Sequence, residues 1–313
     1  MKTNIGQKVL HFPLIKIIVA LIVCLGTVRA GQALAQKTLE ITSIDSDFKK
    51  LIAGAFAATL VIFAYSYLFK HYEKRKITEF SKVNILKTLT IGIVLGVVLQ
   101  SLTILVIYFK GGYSVISINP ILFIVPALTM AFTSAIIEEI LLRGIIFRIP
   151  EEILGSYLSL VISALLFGAM HLINPNSSIL AAVGLAIQAG LLLGAAYIYS
   201  RNLWFPIALH FAWNFTQSAI FGANVSGSST SKTLITSKIE GAAWFTGGQF
   251  GPEGSIQATL FCLIPTIVLL ILSHKEGKII KPYWKKYNEP LTGDCQYTDR
   301  ITSAERLDPV KHL

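Results

Sequence analysis

The sequence predicts an all-α polytopic membrane protein, with about eight transmembrane helices and a polar site inside the membrane. Three observations carry that prediction. Of 313 residues, 53% are hydrophobic and only 14% charged, and the mean hydropathy is +0.64, outside the norm of soluble globular chains. The apolar residues gather in long runs that approach the ~20 residues a spanning helix needs. Within one run, Ile136-Ile137-Glu138-Glu139-Ile140-Leu141-Leu142-Arg143, two adjacent carboxylates stand where hydrocarbon is expected. One ionised side chain near mid-membrane costs about 3 kcal/mol even on the lenient insertion scale, so two neighbouring acids mark a site.

The runs cover 14–28, 51–69, 88–109, 121–147, 154–173, 178–199, 204–221 and 255–272. The first is the ambiguous one. Lys2, Lys8 and Lys16 precede a short apolar stretch, and Ala33-Leu34-Ala35 resembles a signal-peptidase site. Arg29 interrupts the approach to that site, and a retained helix is the preferred reading. Residues 1–50 then form an N-terminal helix, possibly signal-like, with an external loop; 51–272 form the membrane-embedded core, with the motif region at 121–221; 273–313 form a polar basic tail. In the tail, Tyr283 and Trp284 are placed to sit at headgroup level.

A formal net charge of +10 suggests nucleic acid only until the basic residues are located. They fall at the ends of the apolar runs and in the tail, as orientation signals do. Lys70, Lys74, Arg75, Lys76, Lys82, Lys87, Arg148, Arg201 and the lysines from 275 to 286 fall on one side. Fewer, among them Arg29, Lys37, Lys110 and Lys232, fall on the other. The asymmetry predicts both termini in the cytoplasm, unless the first helix is cleaved, in an integral protein of a bacterial plasma membrane. The partner is the lipid bilayer, not nucleic acid. Cys24, Cys262 and Cys295 show no pairing or CxxC spacing, so no disulfide framework or thiolate metal site is expected. The segment 221–253, rich in Ser, Thr and Gly and ending in Gly251-Pro252-Glu253-Gly254, is expected to be a solvated connector rather than a lid.

Side chains three or four apart share a helix face, so Glu139 and Arg143 are expected to pair while Glu138, about 100° away, faces elsewhere. Like charges side by side raise one pKa and keep a carboxyl in the range of a general base. The bland alternative is an arginine-satisfied acid pair that locks helices together. Phe167 and His171 stand four apart in the next run, and His210 and Asn214 four apart two runs later. Polar groups at one-turn spacing on three helices favour a functional site.

These motifs, Glu138-Glu139-x-x-x-Arg143, Phe167-x-x-x-His171 and His210-x-x-x-Asn214, resemble those of the CPBP (Abi) family of CAAX proteases and bacteriocin-processing enzymes. The resemblance covers about 121–221, and the Gly-Gly-Gln-Phe-Gly-Pro-Glu-Gly stretch is similar to a loop of some bacterial members. It implies an eight-helix intramembrane endopeptidase acting on a lipid-anchored or membrane-embedded peptide. On that pattern Glu138 is the base that activates water and His171 helps to hold the water. His210 and Asn214 donate to the developing oxyanion, with Glu139 and Arg143 in support. The other version makes Glu138, His171 and His210 zinc ligands, a His2Glu set of the catalytic kind. No HExxH occurs in the chain, and the metal-free version is preferred slightly.

A transporter using the same cluster as a proton or ion relay is the rival reading, although no repeated halves are visible. A non-catalytic membrane adaptor is a third. The depths also conflict: measured from Pro150, Glu138 and His171 differ by about 10 Å at 1.5 Å per residue. Pro126 and Gly168 are the residues expected to relieve that conflict by a tilt or break.

Overall fold

The structure is a computed structural model that describes residues 12–286; Lys2, Lys8 and Cys295 lie outside the described residues. Its main elements are helices α1 (Pro13–Glu40), α2 (Ser46–Tyr72) and α3 (Ile85–Phe109), strand β1 (Tyr113–Ile118), and helices α4 (Val125–Glu139), α5 (Arg148–Met170), α6 (Ile179–Leu185), α7 (Leu191–Ser200) and α8 (Trp204–Phe215). Strand β2 (Ile235–Ile239) and helix α9 (Ile256–Lys275) complete them. All eight predicted runs are helical. Six helical stretches are long and apolar enough to cross a membrane, and one of them, Ile121–Ile173, has 53 residues. That is more than twice the length one crossing needs, and it contains two predicted runs folded back on each other. The run at 204–221 makes a shorter helix.

Three π-helical segments interrupt the α-helices: Ile140–Phe147 after α4, Ala186–Gly190 between α6 and α7, and Thr216–Ile220 after α8. Each follows or contains residues of the polar cluster. Such single-turn bulges widen the backbone bond from i−4 to i−5 and re-aim the side chains around them. Leu191 N–H, for example, donates to Ala186 O.

Helix α8 is buried along nearly its whole length, from Phe205 to Asn214, as an element apolar on all sides must be. Helix α3 comes close to it because Gly96 has no side chain: a Cβ there would stand 2.6 Å from Leu209 O. On α1, Ala20, Cys24, Val28 and Ala35 are buried, and the helix passes unbroken through Ala33-Leu34-Ala35.

The depth conflict is resolved at a place the sequence reading did not single out. Within α5 the backbone breaks at Gly155, with φ 77° and ψ 169°, so the leg that carries His171 starts near Ser156. Gly168 instead serves close packing, its absent Cβ leaving room for Ala182 O. Gly155 also seats the start of the tail, where a Cβ would lie 2.7 Å from Pro282 N. Ser156 N–H donates to Ile280 O at 2.9 Å, and Ile280 N–H to Ser156 Oγ at 2.9 Å. Residues 276–282 are therefore docked, and the tail is not simply a solvated polar segment.

Residues 221–255 are also more structured than a connector. β2 pairs antiparallel with β1, Tyr113 opposite Ile239 and Ile118 opposite Ile235, which ties this segment to the loop after α3.

At the other end of the bundle, Glu73 and Glu79 in the loop 73–84 bind Arg75 and Arg148 at distances down to 2.6 Å, and Glu79 also accepts from Tyr65 OH at 3.1 Å. Burial pushes both carboxyls up. For Glu73 the charge of Arg148 and a hydrogen bond from Arg75 outweigh burial, and for Glu79 the hydrogen bond and charge of Arg75 do. Both carboxyls thus lie below their ordinary value, so the folded state binds fewer protons than the unfolded one. Their stabilisation is complete above the unfolded pKa of about 4.3 and is lost as pH falls through the lower folded values. Melting temperature measured down an acid series is expected to drop in that window, and to drop less in Glu79→Gln, which starts lower.

Candidate functional site

The polar cluster is built outward from Glu139, which has no solvent exposure. Its Oε1 accepts from Arg143 Nη1 at 2.8 Å and from His210 Nδ1 at 2.9 Å. The pairing of Glu139 with Arg143 is present although the residues between them are π-helical. Arg143, also fully buried, donates Nη2 to Gly190 O at 3.1 Å and Ala189 O at 3.4 Å. These carbonyls belong to the second π-helical segment. One arginine therefore joins α4 to the segment between α6 and α7, and one carboxylate joins α4 to α8.

Phe167 shows why an aromatic ring accompanies the histidine of the second motif. Its face receives the Arg143 guanidinium at 4.8 Å, and its ring lies 4.8 Å from that of His171 and 6.0 Å from that of His210. It is a spacer that holds two imidazoles and a cation at fixed separations while excluding water.

Both imidazoles have one nitrogen committed. His171 Nδ1 lies 2.7 Å from Phe167 O, a carbonyl that can only accept, so Nδ1 carries the hydrogen. His210 Nδ1 likewise faces the Glu139 carboxylate. Each Nε2 is left for the site, and each stands 4.0 Å from Glu138 Oε2. Glu138 is the partly exposed acid of the pair, its side chain 23% accessible, and Oε2 has no hydrogen-bond partner in the protein. The two adjacent acids thus face different surroundings.

The separations discriminate between occupants. Two ligands bound to tetrahedral zinc at 2.0–2.1 Å stand about 3.4 Å apart. Atoms 4.0 Å apart would need to sit almost opposite each other across the metal. A water at about 2.8 Å from each atom subtends roughly 90°, a comfortable hydrogen-bond geometry. The set Glu138, His171 and His210 as arranged fits a water and does not close on zinc; among the described residues no three His, Cys, Asp or Glu converge to hold a metal ion.

Asn214, one turn beyond His210 on α8, uses one amide hydrogen on Ser134 Oγ at 3.3 Å, and the other stays available. Glu138, His171, His210 and Asn214 all line one cavity of about 190 Å³, whose walls include Met130, Leu185, Leu192 and Trp213.

Val225, Ser226, Ser228 and Glu253 also line the cavity, which corrects the expectation of a solvated connector. Glu253 is buried and accepts from Ser226 Oγ at 2.8 Å, from Ser226 N–H, and from Trp213 Nε1 at 3.2 Å. Burial pushes its carboxyl up, against the hydrogen bond from Ser226 and the charge of His171. The turn-forming run Gly247-Gly248-Gln249-Phe250-Gly251-Pro252 shapes a wall and not merely a surface loop, since Gly227 N–H bonds Phe250 O. The sequence signal was an acid embedded in turn formers. Gln188, a carboxamide in an otherwise apolar run, was missed altogether.

Residues 120–216 match the family model described as Type II CAAX prenyl endopeptidase Rce1-like. That stretch holds all three motifs and stops just beyond Asn214. No curated protein and no solved structure matches the chain.

Removing Arg143 would leave Glu139 buried beside a single partner and free the carbonyls of Ala189 and Gly190. Arg143→Ala is expected to cost about 3 to 5 kcal/mol, read as a lower melting temperature and yield of the solubilised protein. Unchanged stability with lost activity would move Arg143 into the chemistry.

Proposed function

We propose that this chain is an intramembrane endopeptidase that hydrolyses a peptide bond in a lipid-anchored or membrane-embedded peptide, with Glu138 as the base. One observation carries the reading: a carboxylate oxygen without a protein partner, flanked at 4.0 Å by two imidazole Nε2 atoms whose other nitrogens are already bound. The Rce1-like segment supports it.

In the proposed reaction, water sits between Glu138 Oε2 and His171 Nε2. Glu138 takes one of its protons, and the oxygen adds to the scissile carbonyl carbon. The oxyanion formed is met by the free amide hydrogen of Asn214 and by His210, which donates from Nε2 when protonated; Glu139 on the other nitrogen offsets that charge. Preorganised donors of this kind usually supply more of the rate enhancement in acyl transfer than any other single effect. Collapse breaks the C–N bond, and the proton held by Glu138 passes to the leaving amine. A relay or transporter would use the same acids, but nothing in it requires two imidazoles oriented by their back nitrogens on one carboxylate.

Purified protein in liposomes, incubated with a farnesylated peptide ending in a CAAX sequence and with its unprenylated counterpart, is expected to release a C-terminal fragment. Glu138→Gln should lower the rate about a hundredfold or more. His171→Ala and His210→Ala should be nearly as damaging, and either should add little to Glu138→Ala, because members of one catalytic unit are non-additive. Ion flux without peptide release would favour the relay.

The cavity borders residues 221–255, at the end of the bundle opposite the Glu73, Glu79 and Arg148 cluster. With both termini cytoplasmic, as the lysine distribution supports, the site opens toward the outer face. In a Cys295→Ser background, Ser228→Cys is expected to react with an impermeant maleimide in intact cells. Labelling only after lysis reverses the orientation.

A further inference from the structure

Two carboxamides among the described residues, Gln100 and Gln188, are fully buried with neither the nitrogen nor the oxygen of the side chain bonded to a protein group. Gln188 alone of the two lines the cavity that holds Glu138. A buried amide without partners is costly, and such a group in a native structure requires an explanation.

The placement is built, not incidental. Gln188 sits in the middle of the π-helical segment Ala186–Gly190, between the apolar wall residues Leu185 and Leu192. The carbonyls of the next two residues, Ala189 and Gly190, are held by Arg143, the residue that also fixes Glu139. The same buried cation that orients the glutamate pair therefore secures the segment that carries Gln188, which gives one side chain a fixed position relative to the other.

A carboxamide presents one donor and one acceptor along a single edge. An acyl or prenyl chain would satisfy neither. A phosphate headgroup would use only the donor and leave Oε1 facing another acceptor. One residue of an extended peptide offers its N–H and C=O side by side, the pairing used between antiparallel strands, and satisfies both.

We propose that Gln188 is a binding residue for the substrate main chain, donating from Nε2 to the carbonyl and accepting at Oε1 from the N–H of one residue bordering the scissile bond. This rests on the endopeptidase reading and adds to it a preference for an extended peptide, independent of side-chain identity at that residue. Gln188 takes no part in proton transfer.

The test uses the full chain in detergent, with Glu138→Gln as the binding background so that peptide is not consumed. The probes are a farnesylated CAAX peptide and a series of the same peptide N-methylated at one residue at a time. In Glu138→Gln, one N-methylation is expected to weaken binding about tenfold or more, because it leaves a buried acceptor unpaired. Adding Gln188→Met should weaken the unmethylated peptide about tenfold and abolish the penalty of that one methylation. In otherwise native protein, Gln188→Met should raise KM with kcat changed less than about threefold, and it should raise the melting temperature by removing an unpaired buried amide. Peptide binding that ignores Gln188, or a lower melting temperature in Gln188→Met, overturns this inference alone and makes Gln188 a water-satisfied or structural amide. A chain that neither binds nor cleaves any of the peptides overturns the endopeptidase reading and this inference together.

Discussion

One carboxylate oxygen, Glu139 Oε1, accepts from an arginine on its own helix and from a histidine on another. Neither partner is dispensable where neither group sees water. An unpaired charge at that depth costs more than most single contacts in a protein return, so the three side chains fix one another's positions, and the backbone must comply. Arg143 reaches on to two carbonyls that a regular α-helix would have occupied. His210 is turned so that its second nitrogen faces the cavity. Phe167 fills the space among them. The partly accessible Glu138 is then the acid that is free to titrate, because its neighbour has absorbed the arginine.

The rest of the molecule keeps that arrangement dry and level. Helix α8 brings His210 and Asn214 into the middle of the bundle because a glycine on α3 lets the two backbones approach. The break at Gly155 restarts α5 at the depth His171 requires. The residues that clasp this break come from beyond the last apolar helix, so the end of the described chain supports a helix that begins more than a hundred positions earlier. Stability and site geometry are coupled through a few polar contacts, set in a body whose apolar packing is otherwise permissive.

The eight apolar runs and the one-turn spacings within the motifs were legible in the sequence, because hydrophobic length and helical periodicity are local properties. The pairing of Glu139 with Arg143 was legible for the same reason. The bond from His210 to Glu139 was not, since it joins residues 71 positions apart and depends on how helices stack. Gly155 reads as one glycine among 23; its left-handed conformation is visible only once Ile280 and Pro282 are seen against it. The segment 221–255 looked like a polar connector because its composition is that of one, and its role as a wall follows from Glu253 finding Ser226 and Trp213. Gln188 was passed over because a single amide barely lowers the hydropathy of an apolar run.

Each π-helical segment holds one residue more than an α-helix of equal span would, the mark of a one-residue insertion. Deleting a residue from 140–147 would restore regular backbone bonding and so relax the helix locally. It would also rotate everything that follows by about 100°, swinging Arg148 away from Glu73 and Glu79 at the far end of the bundle. The chain is thus buffered against substitution along much of its lipid-facing surface yet intolerant of length changes at three short places. A comparison of relatives aligned without gaps there would set the wrong residues opposite one another.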